Sequence, residues 1–111
     1  MGADISKLIP FKKQFSKDGE KYFELLNGEN ASKMRSGCVT LKPGEQIGEH
    51  STGNYEEMLV VLSGEGQLQN EKSETMIIGG GDIAYNPPGT MHNVINTGSN
   101  ELKYIFVVSQ A

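Results

Sequence analysis

Turn signals recur along this chain at short, nearly even intervals, and that punctuation limits what it can fold into. From Gly37 onward each β-prone run stops at a breaker. Cys38–Leu41 ends at Lys42-Pro43-Gly44, Met58–Leu62 at Ser63-Gly64, and Thr75–Ile78 at Gly79-Gly80-Gly81. Asp82–Tyr85 leads into Pro87-Pro88-Gly89, and His92–Ile95 into Asn96-Thr97-Gly98. Ile47–Thr52 and Gly66–Gln69 are shorter runs of the same kind, and Leu102–Val108 closes the chain. Strands spaced ~8–12 residues apart with turn residues between them predict an all-β sandwich or barrel. Glycine agrees: there are 14 in 111 residues, roughly double the usual ~7%. No segment keeps a helical period, although Ser32–Met34 has room for one helical turn.

The chain is long enough for one domain with its own core and too short for two. The region 37–111 is expected to form the barrel. The region 1–36 is expected to pack strands and a loop against it. There Ile5–Ile9 and Tyr22–Leu26 read as strands. Lys17–Glu20 and Asn27-Gly28 read as turns, because Asp-Gly and Asn-Gly tolerate the positive φ of a tight turn.

Composition excludes several function classes. Ten basic against 14 acidic residues leave a net charge of −4, with Arg35 the sole arginine. A nucleic-acid partner, which usually calls for a basic stripe, is not expected. No apolar run approaches a membrane span, and Met1–Pro10 lacks the pattern of a secretory leader. The lone cysteine, Cys38, suits a reducing compartment, so a cytoplasmic location is expected.

The chemistry-bearing residues sit in two stretches. One runs from Gly44 through His50, Thr52 and Glu57 to Gly64; the other runs from Gly81 through Pro87, Gly89 and His92 to Asn96. His50 and His92 are the only two histidines. Alternation along a strand puts His50 and Thr52 on one side, and Glu57, Leu59 and Val61 on one side. Glu56 then points the other way, and a one-residue slip would exchange it with Glu57. His92 follows a Pro-Pro-Gly turn that sets its entry angle. Asn96 reads as a turn former at the end of its strand.

These two stretches resemble the paired signature motifs of the cupin family. Gly44, His50, Glu57 and Gly64 match the first motif, with Thr52 where the family carries a further histidine. Gly81, Pro87, Gly89, His92 and Asn96 match the second at every fixed position. The resemblance is tight from Gly44 to Asn96 and looser in the flanking strands. It implies a double-stranded β-helix, or jelly roll, of RmlC-like type in one domain.

It also implies a metal site made of His50, Glu57 and His92. Two imidazoles and one carboxylate suit Fe(II) and leave positions open, and the same donors suit Mn, Ni, Zn or Cu. One divalent transition metal is therefore the expected cofactor. Thr52 supplies a poor ligand at the third histidine's position; hydrogen bonding to a metal-bound water is its alternative role. The expected function is a small metal-binding cupin, with dioxygenase or isomerase-like chemistry on a small organic molecule in the barrel as its enzymatic form. Glu57 is the candidate catalytic residue, acting as general base when off the metal. The rival reading is a non-enzymatic small-molecule binder or sensor with a weakened or vestigial site.

Around these, Tyr85, Tyr104 and Phe106 are candidates for the pocket mouth, and Tyr55 lies in the loop between His50 and Glu57. Arg35 is the one arginine available to an anionic ligand. Each of these also has a plain role in core, loop or surface, as Cys38 does as a small buried hydrophobe. Gly79–Gly81 lacks the residues of a phosphate loop. Met58–Leu62 and Leu102–Val108 are apolar on both faces, so one face needs a cover. A homodimer is expected, in line with the family.

Overall fold

In the computed structural model, residues 4–15 and 20–111 are described. Strict alternation drives the central strand. Along Tyr55–Ser63, Glu57, Leu59 and Val61 are buried while Met58 is exposed, the pattern of a wall with one face on a core. Nine strands form among the described residues: β1 (Tyr22–Leu26), β2 (Met34–Leu41), β3 (His50–Ser51), β4 (Tyr55–Ser63), β5 (Glu65–Asn70), β6 (Met76–Gly79), β7 (Ile83–Asn86), β8 (Met91–Ile95) and β9 (Leu102–Gln110). They make a five-stranded sheet ordered β1-β2-β9-β4-β7 and a four-stranded sheet ordered β3-β8-β5-β6, antiparallel throughout. No helix among the described residues is long and apolar enough to cross a membrane.

Three local expectations change. Ile5–Ile9 is not a strand: Ile5–Lys7 forms a single 3-10 turn capped by Asp4, whose carboxylate accepts from the Ser6 amide at 3.0 Å and its hydroxyl at 2.8 Å. With Ile5 and Ile9 more than two-thirds exposed, no neighbouring strand rewards extension, so the local cap wins. Ser32–Met34 carries no helical turn, because Met34 already pairs with Ser109 at the start of β2. Ile47–Thr52 shrinks to His50–Ser51 plus an isolated bridge from Gln46 to Ile95. Gly48, at φ 104°, breaks the pleat there, and its amide donates to Asn93 Oδ1 at 2.9 Å. The turn expected at Lys17–Glu20 lies outside the described residues apart from Glu20.

The register of the five-stranded sheet aligns two kinds of row. Val39, Tyr104 and Val61 are successive partners on the inner face and belong to the core. Phe23, Cys38, Ile105, Val60 and Ile83 are successive partners on the outer face, so one apolar row crosses all five strands. Cys38 is buried within that row, while Ile83 at the sheet's edge is 71% exposed.

The core joins both sheets: Val39, Leu41, Leu59, Val61 and Leu102 from one meet Leu68, Ile78 and Val94 from the other. Gly64 permits the tightest approach. It sits at φ 88°, and a Cβ there would run into the carbonyl oxygen of Glu101. Asn96 closes the end of β8 as the sequence suggested: its side-chain amide donates to the Leu41 and Asn100 carbonyls at 2.9 and 2.8 Å and its oxygen accepts from Gly98 N at 2.9 Å.

Candidate functional site

His50 and His92 are direct cross-strand partners on β3 and β8, so two histidines far apart in sequence become nearest neighbours. Their ring centroids lie 4.2 Å apart at an interplanar angle of 63°. His50 is exposed, whereas His92 is only 3% exposed. Each ring is anchored through Nδ1 to the backbone carbonyl two residues earlier: His50 to Gly48 at 2.7 Å, His92 to Thr90 at 3.2 Å. A carbonyl only accepts, so Nδ1 carries the proton and the neutral ring keeps its lone pair on Nε2. Histidines that ligate metals are commonly oriented in this way.

Glu57 reaches the pair from the opposite sheet. Its Oε1 accepts from Asn86 Nδ2 at 3.0 Å and lies 3.1 Å from His92 Nε2. That second approach is close but poorly directed, so the buried Nε2 has no well-formed hydrogen bond. Burial pushes the His92 ring towards neutrality. The hydrogen-bonding reach and charge of Glu57, together with the Thr90 carbonyl, outweigh it, and the ring's pKa is raised above the ordinary histidine value. Glu56, one residue earlier, faces outward and accepts from the Tyr85 hydroxyl at 2.7 Å. Glu57 thus faces inward and Glu56 outward, the orientation that the motif spacing to Gly64 favours where alternation alone leaves the pair exchangeable.

Behind Glu57 runs a buried polar chain. Asn70 Nδ2 donates to Asn86 Oδ1 at 2.8 Å and to Thr90 Oγ1 at 3.3 Å, and Thr90 Oγ1 donates to the Pro87 carbonyl at 2.8 Å. Asn86 and Thr90 are fully buried, and Asn70 is nearly so. Sequence reasoning missed all three. A signal was present: Asn86 follows Ala84 on one face of β7, and a polar side chain there needs a buried partner.

Thr52 does not join the group. Its hydroxyl donates to the Pro87 carbonyl at 2.7 Å and accepts from Thr90 N at 3.1 Å, so it ties the end of β3 to the Pro87-Pro88-Gly89 turn. Alternation fails here because the strand ends at Ser51. The alternative role for Thr52, on a metal-bound water, is replaced by this structural one.

His50, Glu57 and His92 line one side of a cavity of about 170 Å³. The aliphatic residues Val39, Ile47, Leu59 and Val94 and the aromatic rings of Tyr22, Tyr104 and Phe106 make the rest. Tyr104 and Phe106, for which core packing was the favoured reading, line the wall as well as packing in or against the core, and Tyr22 was missed. Burial, then the charges of Glu57 and Cys38, push the Tyr104 phenol far above its ordinary range, so it stays a protonated donor. Tyr85 lies outside the cavity on the outer face, Tyr55 does not line it, and Arg35 is engaged with the Ser32 and Met34 carbonyls at 3.2 and 2.7 Å.

Among the described residues, no group of three or more His, Cys, Asp or Glu side chains stands arranged as a ready-made metal cage. His92 and Glu57 instead contact each other. The donors themselves fit a divalent transition metal: two neutral imidazole nitrogens, one carboxylate, and a buried Nε2 without a proper partner.

Comparison with known proteins adds the following. The family model described as "Cupin domain" matches residues 37–108. An oxalate-binding protein of Thermotoga maritima is 29% identical over 70 residues, 63% of this chain and 57% of that protein, so the match spans less than two thirds of the relative's length. An RmlC-like cupin family protein of Methanocaldococcus jannaschii, with a double-stranded β-helix fold, superposes with a TM-score of 0.78 at 24% identity over 93% of both chains. A Thermotoga maritima protein described as a predicted oxalate decarboxylase superposes with a TM-score of 0.75 at 25% identity, covering 100% of both chains.

Proposed function

The chain belongs to the cupin family, and from that premise we propose that it binds a small organic molecule in its barrel through one divalent transition metal held by His50, Glu57 and His92. One observation carries the reading. The two histidine rings, pinned by their Nδ1 atoms, and the Glu57 carboxylate meet at the polar side of the only cavity among the described pockets that they all line. Among Fe, Mn, Ni, Zn and Cu, this donor set selects none by itself.

When bound, such a metal supplies Lewis acidity and open positions for a ligand oxygen or O₂. The chain supplies the rest. Asn86 holds the Glu57 carboxylate in place, and the apolar walls exclude water. Glu57 is the group positioned to take or return a proton at a ligand beside His92. Dioxygenase and isomerase-like reactions are the activities to assay. The relative named for binding oxalate supports a small organic acid as the ligand class.

Elemental analysis of tag-free protein tests the reading. Wild type should carry about one divalent ion per chain after dialysis, and the His50→Ala/His92→Ala double variant none. Absence of metal from wild type after incubation with Fe(II), Mn(II), Ni(II) and Zn(II) overturns it. A second reading, a binding module that works without metal, is favoured by Thr52 being committed to a turn and by the His92–Glu57 contact. Ligand affinity unchanged by a chelator would select it.

Self-association belongs to the same proposal. The outer row ending at Ile83 continues in Met58 and Tyr85, which pair across β4 and β7 and are themselves exposed. A second copy would cover this face. Light scattering at micromolar concentration should give twice the chain mass, and a monomer removes the claim.

A further inference from the structure

We infer that the cavity selects a small monoanion with one chelating head and an apolar body, and discriminates against a dianion of similar size. The inference rests on the metal reading above and deepens it. Its first support is the arrangement of polarity. His50, Glu57 and His92 form one compact group, with the histidine rings 4.2 Å apart and Glu57 3.1 Å from His92. Everything else described in the wall is aliphatic or aromatic. A ligand oriented by its polar head must place its far end against Val39, Leu59, Tyr104 or Phe106.

Charge gives the second support. Among the described residues, no lysine or arginine lines the cavity. The one cationic candidate the sequence offered for an anion, Arg35, is spent on backbone carbonyls elsewhere. A dication held by one carboxylate and two neutral imidazoles carries a single net positive charge. One anionic head neutralises it. A second carboxylate would lie in an apolar wall without a counter-ion, which is costly in a low dielectric.

Size and shape give the third. The cavity measures about 170 Å³, and apolar cavities of ~150 Å³ are known to take a benzene ring. Tyr22 and Phe106 stack at 5.9 Å between centroids and 20° between planes. They lie where Gly37 has no side chain: a Cβ there would meet both rings at 2.9 Å. This flat aromatic wall accepts a branched or planar apolar group and offers a second carboxylate no cationic partner.

The test is a matched pair of probes. α-Ketoglutarate and α-ketoisovalerate present the same chelating head, a carboxylate beside a keto oxygen. They differ at the far end, a second carboxylate against an isopropyl group. Both are titrated by calorimetry into wild-type protein loaded with Zn(II) and freed of excess metal, with bound metal measured after each run. α-Ketoisovalerate should bind about tenfold tighter or more. Equal or tighter α-ketoglutarate binding overturns the inference, as does failure of both probes to bind at millimolar concentration. Should wild type take up no metal, the preceding reading fails on that measurement alone. This inference, which needs the metal's charge, falls with it, whereas metal uptake without the preference overturns this inference alone.

Discussion

Followed along its strands, the barrel changes character from one end to the other. β4 runs from Glu57 through Leu59 to Val61, and β2 from Gly37 through Val39 to Leu41. β9 runs the opposite way, from Leu102 through Tyr104 to Phe106. In the second sheet His92 and Asn70 are partners at one end, Val94 and Leu68 further along. At one end Leu41, Leu68 and Leu102 are all 0% exposed. At the other, glycine, carboxylate, amide and imidazole replace the aliphatic residues, and a cavity remains. Close packing stabilises a fold, and burying polar groups costs free energy unless they are bonded. The molecule therefore keeps its close packing at one end and its candidate site at the other. The Asn70–Asn86–Thr90 chain satisfies the polar groups that such a site must bury.

The comparison can be broken most directly at the packed end. Leu102→Ala and Leu68→Ala should each lower unfolding stability by ~2–5 kcal/mol, since neither site can collapse around the lost volume. Urea denaturation measures this, and a loss under ~1 kcal/mol would erase the distinction. At the open end His92→Ala should weaken metal binding by about a hundredfold or more. Its urea midpoint should shift by the equivalent of less than ~1 kcal/mol, because the vacated space joins an existing cavity. A collapse as deep as that of Leu102→Ala would mean that the two ends are not separable.

A smaller effect distinguishes the ends by pH. In metal-free wild type, the folded state holds the His92 proton more tightly than the unfolded chain does. The resulting stabilisation is complete below the ordinary histidine value of ~6.5 and fades as pH rises through the raised value. In Glu57→Gln the partner's charge is gone, and burial acts on the ring against only the Thr90 carbonyl. The sign then reverses: stability should rise with pH below ~6.5 and stay flat above it, where wild type loses stability. Urea midpoints between weakly acidic and weakly alkaline pH read the slope, and equal slopes in both proteins would remove Glu57 as the cause.

The smallest change is Gly37→Ala. The new methyl group presses on Phe106 Cε2 and Tyr22 Cε1, the far ends of movable side chains. Stability should barely move and metal binding not at all, while α-ketoisovalerate affinity falls about two- to tenfold. An unchanged affinity would show that the aromatic wall does not touch the ligand.

The residues of the candidate site were named beforehand. The two motifs marked His50, Glu57 and His92, and the spacing to Gly64 preferred Glu57 to Glu56. Thr52 was misjudged because its strand stops a residue short and a nearby turn competes for the hydroxyl. Asn86, Asn70 and Thr90 were passed over because no one of them signals its partner: their bonds span 16 and 20 residues. Ile5–Ile9 misled in the opposite direction, since β-prone residues without a neighbour to pair with yield to a cap.

Local chemistry alone determined most strands of the barrel, their turns, and which side chains share a face within the longer strands. Glycine, proline and a period of two act within a few residues and need no knowledge of the rest of the chain. Only the tertiary structure decided that His50 would face His92, that Glu57 would cross to meet them, and that Thr52 would turn away. It also decided that every lysine and arginine described would stand outside the cavity. Those outcomes depend on register between strands and on how the two sheets close, and register is set by the packing of the whole core.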